Sequence, residues 1–150
     1  MLTIEVIAVG KIKEKYLKDA ISEYSKRLSR YCSFKITEVP DSIDDEQAIY
    51  KEGAIILPKI KGVVVPLCVE GAQMSSEAFA DFIEKCAVDG NSHITFIIGG
   101  SRGLDEQIKK LGKIKLSFSN MTFPHQLMRV ILLEQIYRAF KINSGENYHK

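Results

Sequence analysis

Apolar residues in this chain come in short blocks separated by turn-forming clusters, and the spacing within the blocks switches between two periods. Leu2 to Val9 is an apolar run closed by Gly10, which predicts a strand. From Glu14 to Leu28, Leu17, Ile21, Tyr24 and Leu28 recur at helical spacing. Phe34 to Val39 alternates as a strand and stops at Pro40-Asp41. Asp44 to Leu57 reads as a helix, with Asp44 or Ser42 as its cap and acids in the first turn, as the helix dipole prefers. Val63 to Val69 is continuously apolar, the signature of a strand covered on both faces. Ser75 and Ser76 cap a helix to about Val88, and Asp89-Gly90-Asn91 turns the chain into a second buried strand, His93 to Ile98. Gly99 to Gly103 leads into a short helix ending near Leu111. Lys113 to Phe118 is the last strand, and the closing helix runs from about Pro124 to Ile142. Strands and helices alternate throughout. The fold class is therefore α/β, with a mainly parallel sheet and helices on both faces.

At 150 residues the chain is expected to form one domain over 1–150. It is 45% hydrophobic and 27% charged, and no apolar run reaches the roughly 18 residues of a membrane span. The start, MLTIEVIAVGK, lacks a basic region before its apolar run and reads as a first strand. Cys32, Cys68 and Cys86 are odd in number and form no CxxC, which suits free thiols in a reducing cytoplasm. The net charge of +2 is unevenly spread: +4 over 1–35, −5 over 36–58, −2 over 59–100 and +5 over 101–150. Basic ends could assemble a face for a polyanion, or could be ordinary solvated helix faces.

Two loops carry the candidate chemistry. Gly99-Gly100-Ser101-Arg102-Gly103 follows a buried strand and opens a helix, where glycines let backbone amides approach a ligand. The pattern is not GxGxxG, and no acid lies about 20 positions on to bind a ribose, which argues against a dinucleotide. There is no GxxxxGK[ST] for a triphosphate. An uncharged adenosine fits what remains, and so does a tight turn with no ligand. The second loop, Phe118 to Arg129, reads FSNMTFPHQLMR, with Thr122 as a candidate N-cap and Pro124 in the first turn of the last helix. The two loops are expected to form one site. His93, His125 and His149 are scattered, so no metal is expected, and no GxSxG elbow is present.

The closing helix is apolar over more than one face, through Leu127, Val130, Ile131, Leu133, Ile136, Tyr137 and Phe140. Such a helix buries two sides, one on its own sheet and one on something else, for which a second copy of the chain is a candidate. Arg129 and Arg138 suit ion pairs there, or phosphate contacts. The tail ending Tyr148-His149-Lys150 reads either as a frayed terminus or as a stacking ring, an imidazole and a cation for RNA. Pro66 interrupts the third strand and requires either an unpaired edge or a bulge.

IGGSRGL at 98–104, LSFSNMTFPHQLMRVILLEQIYRAFKI at 116–142, the terminal YHK and the opening IAVGKIKEKYLKDAISEYSKRL resemble the bacterial ribosomal RNA large-subunit methyltransferase H family over essentially the full length. That family is a small member of the SPOUT class of α/β-knot methyltransferases. The resemblance implies a C-terminal trefoil knot, a homodimer, S-adenosyl-L-methionine as cofactor, and methylation of N3 of a pseudouridine of 23S ribosomal RNA in assembled ribosomes. Carried over by position, Leu67, Gly99, Phe118, Ser119, Asn120, Met121, Thr122 and Phe123 would bind the cofactor. His125, Arg129 and Tyr148 would lie near the RNA. His149 or His125 would take the N3 proton, and Arg138 would stabilise the resulting anion. Cys68 stands where the family often has an acid, which puts a polar contact there in doubt. The rival reading is a non-catalytic ribosome- or RNA-binding factor on the same fold.

Overall fold

The structure is a computed structural model and describes residues 1–43 and 45–150. Among these, five strands form one parallel sheet in the order β2-β1-β4-β3-β5. The strands are β1 (Thr3–Val9), β2 (Ser33–Val39), β3 (Val63–Gln73), β4 (His93–Ile98) and β5 (Leu116–Ser117). The helices between and after them are α1 (Lys15–Leu28), α2 (Ala48–Ile56), α3 (Ser76–Val88), α4 (Glu106–Lys110) and α5 (His125–Asn143).

Alternation along the strands builds two cores. Ile4, Val6 and Ala8 of β1 with Ile94, Phe96 and Ile98 of β4 face α1, α3 and α5. Ile7, Val9, Val64 and Ile97 face the opposite way, against Ile56 of α2 and Ile108 of α4. Helices therefore cover both faces, and the central strands have no polar side to expose.

α5 lies between α1 and α3, with Leu132, Leu133, Ile136 and Ala139 wholly buried. The flanking helices cover these residues on the sides that the sheet does not, while Leu127 is left 40% exposed and Val130 and Ile131 only part-buried. β5, by contrast, lies at the sheet edge beside β3. Residues 118–124 must accordingly cross the carboxyl ends of β3 and β4 to bring α5 over the middle of the sheet.

Several local expectations shift. α2 starts at Ala48 with Gln47 as cap, not at Ser42, because Asp45 Oδ1 accepts from the Gln47 amide at 2.8 Å and holds a turn there. The other candidate cap, Asp44, lies outside the described residues. α5 is capped by Pro124, and Thr122 makes no cap. β5 is only two residues long. Ser75 does cap α3, accepting from the Ala78 amide at 3.0 Å.

Pro66 proves to face the chain just before β5, where a Cβ at Gly112 would lie 2.6 Å from its Cδ. The Lys113 amide donates to the Val64 carbonyl at 2.8 Å, so the β5-side edge of β3 at this point meets the chain before β5 begins. Strand pairing on that edge starts only at Leu67, opposite Leu116. Two residues on from Val64, the missing N–H of Pro66 points into that unpaired edge. Beyond it the strand does bulge: Leu116 is the register partner of both Leu67 and Ala72, and residues 68–71 stand out of the ladder. The Ala72 amide donates to the Lys115 carbonyl at 2.8 Å. A Cβ at Gly71 would come within 2.6 Å of that same oxygen, so the crossing needs glycine.

Candidate cofactor cavity

The ends of β3, β4 and β5 open into one cavity of about 340 Å³, outside the carboxyl edge of the sheet, where open α/β sheets hold ligands. The glycine turn and the Phe118 loop both line it, as expected. Leu67, Gly99, Phe118, Ser119, Met121, Thr122 and Phe123 are on its wall, with His125 at the head of α5. Asn120 is the exception: its side-chain oxygen accepts from Gln73 Nε2 at 2.9 Å, which ties the loop to the end of β3. The Ser119 hydroxyl accepts from the Met121 amide at 3.0 Å and shapes the loop from within.

The glycines here are required by packing whether or not a ligand is present. A Cβ at Gly99 would lie 2.5 Å from the Gly103 carbonyl oxygen, and Gly103 has φ +85. The Gly103 amide closes the turn on the Gly100 carbonyl at 3.0 Å. The result is a tight collar at the mouth of β4, with backbone groups on the wall.

Two charged wall residues lie outside both predicted loops: Glu70 and Lys109. Glu70 stands on the wall within the bulge at 68–71, and Lys109 Nζ lies 2.6 Å from its Oε1. The hydrogen bond from Lys109 holds the Glu70 carboxyl below the ordinary carboxylate range, and the same bond raises Lys109. Cys68, also on the wall, has its thiol pushed up by burial and is neutral. No sequence signal marks Glu70, because the bulge depends on where Lys115 crosses the strand.

Arg129 does not line the cavity. It is 1% exposed and joins α5 to the ends of β1 and β2: Nη1 donates to Glu38 Oε2 at 2.7 Å and Nη2 to the Gly10 carbonyl at 3.1 Å. In the structure it anchors α5 to the ends of β1 and β2.

Arg138, Tyr148 and His149 come together elsewhere, on the α3–α5 face. Arg138 donates to both oxygens of Glu134, at 3.2 and 2.7 Å, and Tyr148 donates to Glu134 Oε2 at 2.8 Å. Burial, and then the bond to Glu134, push the Tyr148 phenol up to about 12. Arg138 also stacks over the Tyr148 ring at 4.9 Å and meets His149 Nδ1 at 3.1 Å. A guanidinium only donates, so Nδ1 is the acceptor and Nε2 carries the hydrogen. Nε2–H then donates to Glu77 Oε1 at 2.6 Å. The tail is thus docked by side-chain bonds, contrary to a frayed terminus. Glu77 and Glu134 are the members of this network that patterns in the sequence did not single out for function.

A parallel sheet covered on both faces, a glycine collar, and a loop thrown over the strand ends into a central last helix define the class. The chain belongs to the SPOUT methyltransferase family: the model described as "Predicted SPOUT methyltransferase" matches residues 2–149. Among its relatives, the chain is 54% identical over 159 residues to the ribosomal RNA large subunit methyltransferase H 1 of Clostridium perfringens (strain SM101 / Type A), covering 99% of this chain and 100% of that one. It is 55% identical over 159 residues, with the same coverage, to the ribosomal RNA large subunit methyltransferase H of Clostridium botulinum (strain Kyoto / Type A2). The solved structure of a probable methylase family protein from Haemophilus influenzae Rd KW20 shares the fold, with TM-score 0.60 at 13% identity, over 98% of this chain and 70% of that one. No helix among the described residues is long and apolar enough to cross a membrane, and none of their His, Cys, Asp and Glu side chains form a metal-binding group.

Proposed function

We propose that this chain is a single methyltransferase domain over 1–150 that methylates N3 of a pseudouridine in 23S ribosomal RNA of assembled ribosomes. It works in the cytoplasm, as a homodimer, with the segment 118–124 closing a trefoil knot around the cofactor. The observation that carries this reading is the meeting of the glycine turn and the Phe118 loop in one cavity, in a chain so similar to ribosomal RNA methyltransferases.

The cavity fits S-adenosyl-L-methionine. Its size suits a small ligand, its walls include Leu67, Leu104, Phe118 and Phe123, and its backbone collar suits an uncharged adenine. Leu67, Gly99 and the run Phe118 to Phe123 would hold the cofactor, Asn120 through its hold on Gln73. When bound, the cofactor supplies an electrophilic methyl group on a sulfonium.

The chain's own residues must handle the imide proton of N3 and the negative charge left behind. His125 sits on the wall and can accept a proton. Arg138 and His149 cannot serve the same cavity in one chain: Arg138 follows Met128, a wall residue, by ten helical residues, about 15 Å along the axis. A second copy that presents its Arg138, Tyr148 and His149 to this cavity resolves the separation. When Arg138 turns to the anion on the base, His149 Nδ1 is freed to take the proton.

The test is transfer of labelled methyl from S-adenosylmethionine to ribosomes lacking the modification, beside free 23S RNA. Label in the large-subunit RNA of assembled ribosomes is expected. Label on free RNA alone would discard the assembled particle as substrate. No label and no binding of S-adenosylhomocysteine would favour a non-catalytic RNA-binding factor.

A further inference from the structure

Resting on the cofactor reading above, we propose that the Glu70–Lys109 ion pair is the receptor for the amino-acid end of S-adenosylmethionine, with Glu70 taking the α-ammonium and Lys109 the α-carboxylate. Three observations carry it.

The first is aim. Residues 68–71 leave the ladder between two pairings to the same residue, Leu116, and the bulge puts Glu70 on the cavity wall. Gly71 permits it by lying against the Lys115 carbonyl. Bulges of this kind redirect a side chain beside a site.

The second is charge. Among the described residues, Glu70 is the one carboxylate on the wall. An ammonium group entering between apolar walls needs an anion, and the neighbouring Cys68 thiol is neutral. Lys109 is on the wall too, and both members of the pair are held in their charged forms.

The third is exchange. A zwitterion placed across Glu70 and Lys109 replaces one ion pair by two crossed ones, so no charge is left without a partner. The Lys109 side chain is 14% exposed and also lies 3.5 Å from Glu106 Oε1, which fixes it from a second side. The Glu70 side chain, 59% exposed, is free to turn toward the ligand.

Calorimetric titration of S-adenosylhomocysteine against 5′-methylthioadenosine tests this without reference to turnover. The second ligand keeps the adenosine and the sulphur but lacks the amino-acid end. Wild type is expected to bind the first about tenfold or more tightly, and Glu70→Gln and Lys109→Gln each to lose about tenfold for it, as for bonds between charged groups. Affinity for methylthioadenosine should change by less than about twofold, which also certifies that the variants are folded. Equal losses for both ligands, or no loss for S-adenosylhomocysteine, would overturn this inference alone. Wild type binding neither ligand would overturn the cofactor reading, and this inference with it.

Discussion

Replacing Gly99 by alanine separates a glycine kept for packing from one kept for a ligand. The added Cβ would stand 2.5 Å from the Gly103 carbonyl oxygen and 3.0 Å from Leu104 Cγ. Ordinary carbon–oxygen contacts begin near ~3.3 Å, so the turn must open by about 0.8 Å. Overpacking against backbone costs about 1–3 kcal/mol, and straining the Gly103-to-Gly100 hydrogen bond adds about 1 kcal/mol. Reduced freedom of the unfolded chain returns about 0.4–1 kcal/mol. The net expected loss is about 1–3.5 kcal/mol. Gly103→Ala is the control. Its Cβ meets nothing within 4 Å, so only φ +85 matters. That costs about 1–2 kcal/mol before the same entropic return, leaving about 1 kcal/mol. Urea unfolding of wild type and both variants, with unchanged slopes, measures the difference. Titration with S-adenosylhomocysteine then shows whether the collar still binds. If Gly99→Ala were no less stable than Gly103→Ala, the turn would have slack and the packing argument would fail.

Arg129→Met should cost about 2–3 kcal/mol in urea unfolding, because the Gly10 carbonyl loses its donor while half-exposed Glu38 rehydrates; Arg129→Lys should recover less than half, since one ammonium cannot span both acceptors. A loss below about 0.5 kcal/mol for Arg129→Met would contradict the anchor role. Iodoacetamide at mildly alkaline pH should label Cys68 first, because Cys32 and Cys86 are buried and burial pushes the Cys32 thiol up to about 12. S-adenosylhomocysteine should protect Cys68, as followed by mass spectrometry, and reaction at Cys32 first or an absence of protection would count against the cavity assignment.

What the sequence made legible were the features that depend on near neighbours. The continuous apolar run of β4, the glycine turn after it and the span of α5 each follow from local pattern, and the two loops of the cavity were found that way. The ion pair expected of Arg129 forms, but its partner could not be named from the sequence, because Glu38 is 91 positions away and on another strand. Glu70 was missed because its direction is set by a bulge that forms only where Lys115 crosses β3. The apolar girth of α5 named no partner, because periodicity reports how much of a helix is apolar and says nothing of what covers it. α1 and α3 flank Leu132, Leu133, Ile136 and Ala139, while Leu127 stays 40% exposed. The tail was ambiguous for the same reason: Glu77, which helps to dock it, looks in sequence like an ordinary solvent-facing acid.

The position of α5 also bears on how the protein is made. Leu132, Leu133 and Ile136, from the last helix of the chain, sit at the centre of the larger core between helices synthesised long before them. A nascent chain ending before residue 125 has β1, β4 and the inner sides of α1 and α3 open to water with nothing to close over them. Its larger core therefore cannot be completed as the chain emerges. That core closes only once residues 125–143 have emerged, and until then the half-built sheet is a natural client for chaperones.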